Sequence, residues 1–292
     1  MPMEVINLYQ SQCLLGESPY WHAKRKSFFW VDIEKGELYE FQVLLKKTTK
    51  RKFNQRLSLV VEGQGEYLIL ALDRKLARYD LETEKLTWLI EVEEDQPLNR
   101  FNDGACDADG RLWIGTMSTK FTPESGALYK ITSALSPEKV LGRISISNGM
   151  AWTSDNETFY YIDSPSQEIR AYQFDLETGE INFDRTVIRV PKELGTPDGM
   201  TMDQEGKLWV AHYGGFGVYC WDPENGKLLK KITLPAPHVT SCVFGGENLD
   251  HLLITTAREN LTEAQLQEYP ESGDVFLVKT NTQGFFSNPC QF

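Results

Sequence analysis

Short apolar runs rich in aromatic and β-branched residues recur along this chain every 39 to 48 residues. They are FFWVDI around Trp30, YLILAL around Ile69, RLWIGTM around Trp113, FYYIDS around Tyr161, KLWVAHY around Trp209 and HLLITTA around Leu253. Each is followed by an alternating segment: GELYEFQ (36–42), KLARYDLET (75–83), GALYKIT (126–132), QEIRAYQFD (167–175), GFGVYCWDP (215–223) and GDVFLVKT (273–280). Period-two alternation predicts strands. The turn phrases EKG (34–36), DADG (107–110), DQEG (203–206) and DPENG (222–226) separate them. Repeats of about 40–50 residues made only of strands predict an all-β protein, a six-bladed β-propeller with one four-stranded blade per repeat. No stretch reads as a linker, so residues 1–292 are expected to form one domain. Helical signal is weak, and its best candidate is LTEAQLQEY (261–269), expected to form one or two turns in a loop of the last blade. The irregular stretch STKFTPESG (118–126) is a candidate lid.

The repeat says which residues meet, because a propeller brings equivalent positions to one axis. Eleven to thirteen residues before four of the core runs stand Glu17 (LLGESPYW), Asn102 (NRFNDGACD), Asn148 (SNGMAWT) and Asp198 (TPDGMTMD). The matching places in the second and sixth repeats hold Ser58 and Thr240 or Cys242. Two carboxylates and two carboxamides around one channel mouth repel or compete unless a cation lies between them. Oxygen-only donors suit a hard divalent ion. The competing reading is local: Asp103-Gly104, Asn148-Gly149 and Asp198-Gly199 are also turn-forming dipeptides. Recurrence in register favours a site. Arg100, two residues before Asn102 on an extended segment, points to the same side and offers a guanidinium to an oxygen-rich or anionic ligand. A blade-edge ion pair is the alternative.

The remaining polar residues carry less. His22, His212, His238 and His251 lack metal-ligand spacing; His212 and His238 fall near the expected mouth and read as structural or as pocket wall. Asp32 and Asp163 end two core runs in matching places and are expected to bond to turns or neighbouring blades. Trp30, Trp113 and Trp209 recur in register and are assigned to packing.

Composition narrows the class. A net charge of −12 argues against nucleic acid, whose phosphates demand basic surfaces. No apolar run is long enough to span a bilayer, and MPMEVINLYQ lacks the regions of a secretory signal. Five scattered cysteines without C-x-x-C read as reduced thiols of a cytoplasmic protein.

The phrases LLGESPYW, NRFNDGACDADGRLWIGTM, SNGMAWTSDNETFYYIDS, TPDGMTMDQEGKLWVAHYGG and LPAPHVTSCVFGG make the chain resemble the gluconolactonase and regucalcin (senescence marker protein) family of six-bladed propellers. The resemblance implies one divalent metal ion, with Ca the first expectation and Zn, Mg, Mn or Fe as alternatives, held by Glu17, Asn148 and Asp198. It implies Asp198 as the catalytic general base and Arg100 and Asn102 as substrate-binding residues. The place of an acidic lid residue that touches substrate in animal members is taken here by Lys120, which implies a different hydroxyl pattern or a more acidic ligand. The expected activity is hydrolysis of a gluconolactone-like sugar lactone to its aldonic acid by a monomer. Two alternatives stand beside it: hydrolysis of organophosphates or other esters at the same metal, and a calcium-binding regulatory protein without turnover.

Overall fold

The computed structural model describes residues 3–292. Six four-stranded antiparallel sheets follow one another round a central axis. The first blade is β2 (Gly16–His22), β3 (Ser27–Asp32), β4 (Glu37–Gln42) and β5 (Lys47–Lys52). The second is β6 (Leu57–Glu62), β7 (Tyr67–Leu72), β8 (Lys75–Asp80) and β9 (Leu86–Glu91). The third is β10 (Asn99–Cys106), β11 (Leu112–Ser118), β12 (Gly126–Ile131) and β13 (Pro137–Ile144). The fourth is β14 (Ser147–Trp152), β15 (Thr158–Asp163), β16 (Glu168–Asp175) and β17 (Glu180–Arg189). The fifth is β18 (Thr196–Met202), β19 (Leu208–Tyr213), β20 (Gly217–Asp222) and β21 (Lys227–Thr233). The sixth combines β22 (Val239–Gly245), β23 (His251–Thr256) and β24 (Val275–Lys279) with the N-terminal β1 (Val5–Tyr9), which pairs with β24 and closes the ring.

The expected six-bladed propeller is therefore the observed fold. The apolar runs are the second strands, and they are buried because both of their faces meet neighbouring blades. Trp113 packs against Trp152 and Phe159 of the fourth blade, and Trp209 against Phe244 of the sixth. The registered tryptophans are thus spacers between blades. The indole N–H of Trp113 donates to Asp107 at 2.8 Å, and that of Trp209 to Asp203 at 2.8 Å. The same two aspartates accept backbone N–H groups of the DADG and DQEG turns, so one carboxylate closes each hairpin and fixes its tryptophan. The helical signal resolves as α1 (Glu263–Glu268), capped reciprocally by Thr262 and Gln265.

Candidate functional site

The first strands of the six blades line the axis, each touching its two neighbours. In all six the pairing slips at the same place. The breaks fall between Glu17 and Tyr20, Leu57 and Leu59, and Phe101 and Gly104. They recur between Asn148 and Met150, Pro197 and Met200, and Val239 and Ser241. A bulge twists a strand and re-aims its side chains. Ser58, Asn102, Asp198 and Thr240 fall within these slips, and Glu17 and Asn148 are the last paired residues before theirs. Cys242 lies further along β22, with its thiol donating to the Trp209 carbonyl.

The Asp-Gly and Asn-Gly dipeptides are therefore strand, not turn. None of Gly104, Gly149 and Gly199 has a positive φ. They are glycines because the inner strands crowd: a Cβ on Gly199 would stand 2.1 Å from Ser241 Oγ, and one on Gly149 2.7 Å from the Asp198 carbonyl oxygen.

A chain of hydrogen bonds crosses three blades. Arg100 Nη1 donates to Asn102 Oδ1 at 2.7 Å and to the Phe101 carbonyl at 2.8 Å. Asn102 Nδ2 donates to the Ser147 carbonyl at 2.7 Å and to Asn148 Oδ1 at 3.0 Å. Asn148 Nδ2 donates to Ser164 Oγ at 2.8 Å, and the Ser164 hydroxyl donates to the Pro197 carbonyl at 2.7 Å, next to Asp198. Arg100 is 5% exposed and makes no ion pair among the described residues. Its Nε and Nη2 have no protein partner there. Asp32 and Asp163 anchor the approach: Asp32 accepts from the N–H of Leu14 and Leu15, and Asp163 from Ser145 and Ile146. Each thus fixes the backbone just ahead of Glu17 or Asn148.

The electrostatics are unbalanced. Burial, together with Asp103, pushes the Glu17 carboxyl up to about 8. Burial, with Glu17 and Asp103 as neighbours, raises Asp198 well above the carboxylate range. Burial alone pushes Asp103 up to about 6. Asp198 Oδ1 is buried without a hydrogen-bond partner among the described residues. Neither Glu17 nor Asp198 makes an ion pair among the described residues, and Arg100 acts on both only at a distance. No group of three His, Cys, Asp or Glu side chains in metal-holding geometry occurs among the described residues. The donor set here is instead two carboxylates and the Asn148 amide oxygen. Unpaired buried carboxylates, one with an orphaned oxygen, are what a divalent cation would neutralise, so the residues fit such an ion.

Two residues in this network were not singled out in the sequence. Asp103 hid behind the turn reading of Asp-Gly, and Ser164 follows a core run with no motif to mark it. His212 is structural: its Nδ1 contacts the Leu194 carbonyl at 2.9 Å, its Nε2 accepts from Trp221, and burial pushes it down to about 4. His238 stacks on Tyr213 with ring centroids 3.9 Å apart, in the wall of the same mouth. Lys120 is exposed on the 119–125 loop and touches none of the cluster through any hydrogen bond or ion pair among the described residues. A cavity of about 370 Å³ lies on the axis beyond the bulges, lined by Asp103, Tyr20, Met150, Met200 and Phe285. Asp103 joins this cavity to the charged cluster, whereas Glu17, Arg100, Asn102, Asn148 and Asp198 do not line it.

Residues 15–258 match the family model described as the SMP-30/gluconolactonase/LRE-like region. The chain is 35% identical over 283 residues to a putative sugar lactone lactonase, YvrE, of Bacillus subtilis, covering 97% of each chain. It is 36% identical over 274 residues to regucalcin of Sus scrofa, covering 92% of each. Among solved structures, a calcium-binding protein, regucalcin, from Agrobacterium tumefaciens superposes with a TM-score of 0.95 at 28% identity, over 100% of this chain and 99% of that one. A gluconolactonase of Xanthomonas campestris shares the fold, with a TM-score of 0.75 at 21% identity, over 95% of this chain and 89% of that one. Among the described residues no helix is long and apolar enough to cross a membrane.

Proposed function

The chain belongs to the SMP-30/gluconolactonase/LRE-like family, and we propose that it hydrolyses a sugar lactone to the aldonic acid with one divalent cation at the channel mouth that Glu17, Asn148 and Asp198 share. The observation that carries this reading is the pairing of a buried carboxylate whose Oδ1 lacks a partner with a buried arginine whose remaining N–H groups are free, in one hydrogen-bonded wall. Glu17, Asn148 and Asp198 would hold the cation. A calcium-binding structural relative makes Ca²⁺ the first candidate, and the oxygen donors also accept Mg²⁺, Mn²⁺, Zn²⁺ or Fe²⁺. When bound, the ion supplies a Lewis acid for the lactone carbonyl and a counter-charge for the oxyanion.

The side chains divide the remaining work. Asp198 accepts the proton of the attacking water, a role its unpartnered oxygen leaves open. Asp198 must be ionised to do this, and positive charge beside it lowers its pKa. Arg100, its guanidinium plane set by Phe101 and Asn102, directs its free N–H groups at the oxygens of the ring and so orients the carbonyl. Both amide hydrogens of Asn102 are already committed, so it positions Arg100 and Asn148 and offers substrate only a lone pair on Oδ1. Lys120 is not required by this arrangement.

The test is acid release from gluconolactone, galactonolactone, xylonolactone and arabinonolactone by chelator-stripped protein, with each divalent ion restored in turn. Metal-dependent turnover well above the spontaneous rate, abolished in Asp198→Asn, is expected. A protein that binds the ions but turns over none of the lactones would overturn the reading.

A further inference from the structure

We infer that Glu259 determines substrate specificity at this mouth, its carboxylate accepting hydrogen bonds from the hydroxyl groups of a polyhydroxylated lactone held on the other side by Arg100. This rests on the lactonase reading.

Glu259 lies in the loop after β23 of the sixth blade. Around a ring of six, that blade stands opposite the third, which carries Arg100 and Asn102. Its backbone is pinned from three sides. Its N–H donates to the Leu14 carbonyl at 2.8 Å, just before the strand that bears Glu17. Its carbonyl accepts the Tyr213 hydroxyl at 3.0 Å and His238 Nδ1 at 2.9 Å. Tyr213 and His238 are themselves stacked, with 15° between their planes, and Asn260 Nδ2 bonds the Tyr213 hydroxyl at 3.0 Å. A loop held this firmly presents its side chain at a set place.

That side chain is half-buried, yet its carboxylate has no hydrogen bond and no ion pair among the described residues, and neither oxygen is sealed from water. Its charged neighbours are Glu34, Arg100, Arg56 and Asp32. Arg56 is engaged by Glu34 at 3.0 Å, and among the described residues Arg100 spends only Nη1 on protein oxygens. An ionised carboxylate only accepts hydrogen bonds. A ligand that completes this mouth must therefore offer oxygens to Arg100 and O–H donors to Glu259. Vicinal hydroxyls do both. An anionic group beside Glu259 would be repelled, so the same residue selects against phosphate and carboxylate substituents.

The experiment compares the metal-loaded wild-type protein with Glu259→Gln and Glu259→Ala on two lactones of the same ring size. One is glucono-δ-lactone; the other is δ-valerolactone, which has no hydroxyls, followed by turnover or, where that is too slow, by its inhibition of the first reaction. A hydrogen bond to a charged acceptor predicts a loss in kcat/KM on glucono-δ-lactone of about tenfold or more. It is carried mainly by KM, with less than about twofold change on δ-valerolactone and an unchanged melting temperature. Equal effects on both lactones, or none on either, would overturn the role of Glu259 while leaving the lactonase reading intact. A wild-type protein inactive on both would instead remove the lactonase reading and this inference with it.

Discussion

Replacing Glu17 by glutamine should stabilise the protein in chelator while abolishing its response to divalent cations. Burial and Asp103 push this carboxyl up to about 8 from its ordinary 4.5. A raised value means the folded chain keeps a proton that the unfolded chain releases. The associated stability is therefore whole below pH 4.5 and is lost as pH rises towards 8. At about 1.4 kcal/mol per pH unit the loss at pH 7 is about 3 kcal/mol. Sharing of protons with Asp103 and Asp198 reduces what one substitution recovers to roughly 2 kcal/mol. Glutamine keeps the shape and has nothing to titrate. Thermal melts of both proteins in chelator from pH 5 to pH 8 should coincide at the acid end and separate with pH. The variant should melt higher by about 4–8 °C at pH 7–8. Excess divalent cation should reverse the order, since a ligand at a hundred times its Kd adds about 2.7 kcal/mol to the wild type alone. Parallel melting curves across the pH range, or a variant that melts lower in chelator, would refute the account of Glu17 as an uncompensated buried charge.

Ser164→Ala removes the link between Asn148 and the Pro197 carbonyl; cation affinity measured by calorimetry should fall about tenfold, and an unchanged affinity would detach Ser164 from the site. His212, pushed down to about 4 from an ordinary 6.5, contributes stability that is complete above pH 6.5. That stability is lost as pH falls towards 4, by about 3 kcal/mol, and in denaturant titrations the stability difference between the wild type and His212→Gln should shift by that amount in favour of the variant as pH falls from 6.5 to 4, with a pH-independent difference counting against it. Gly199→Ala sets a Cβ against Ser241, at 2.9 Å from its Cα, and should cost about 2 kcal/mol or more; Ser241→Gly in the same chain should return part of it, and simple additivity of the two would count against the clash.

The blades were legible because their signal is local and repeated. The second and third strands carry aromatic alternation that needs only period two to be seen, and the Asp-led turns recur with them. The fourth strands were not individually legible. Segments such as KTTKRK (47–52) and KLLKKIT (227–233) are largely exposed outer edges, and without a buried face they lack an apolar signature. The first strands were found only as lead-in segments, since Pro, Gly, Asn and Asp at the bulge break the alternation that identifies a strand.

The chain by itself determined the repeat, and with it the convergence of Glu17, Asn102, Asn148 and Asp198 on one axis, because spacing along a repeat is a property of sequence. What only the tertiary structure decided is how those side chains are aimed and what surrounds them. The six aligned bulges, the placing of Asp103 among the other carboxylates, the bridge through Ser164 and the free carboxylate of Glu259 opposite Arg100 all depend on contacts between blades. Such contacts join residues tens to hundreds of positions apart, and no local pattern of polar and apolar residues encodes which of them will meet.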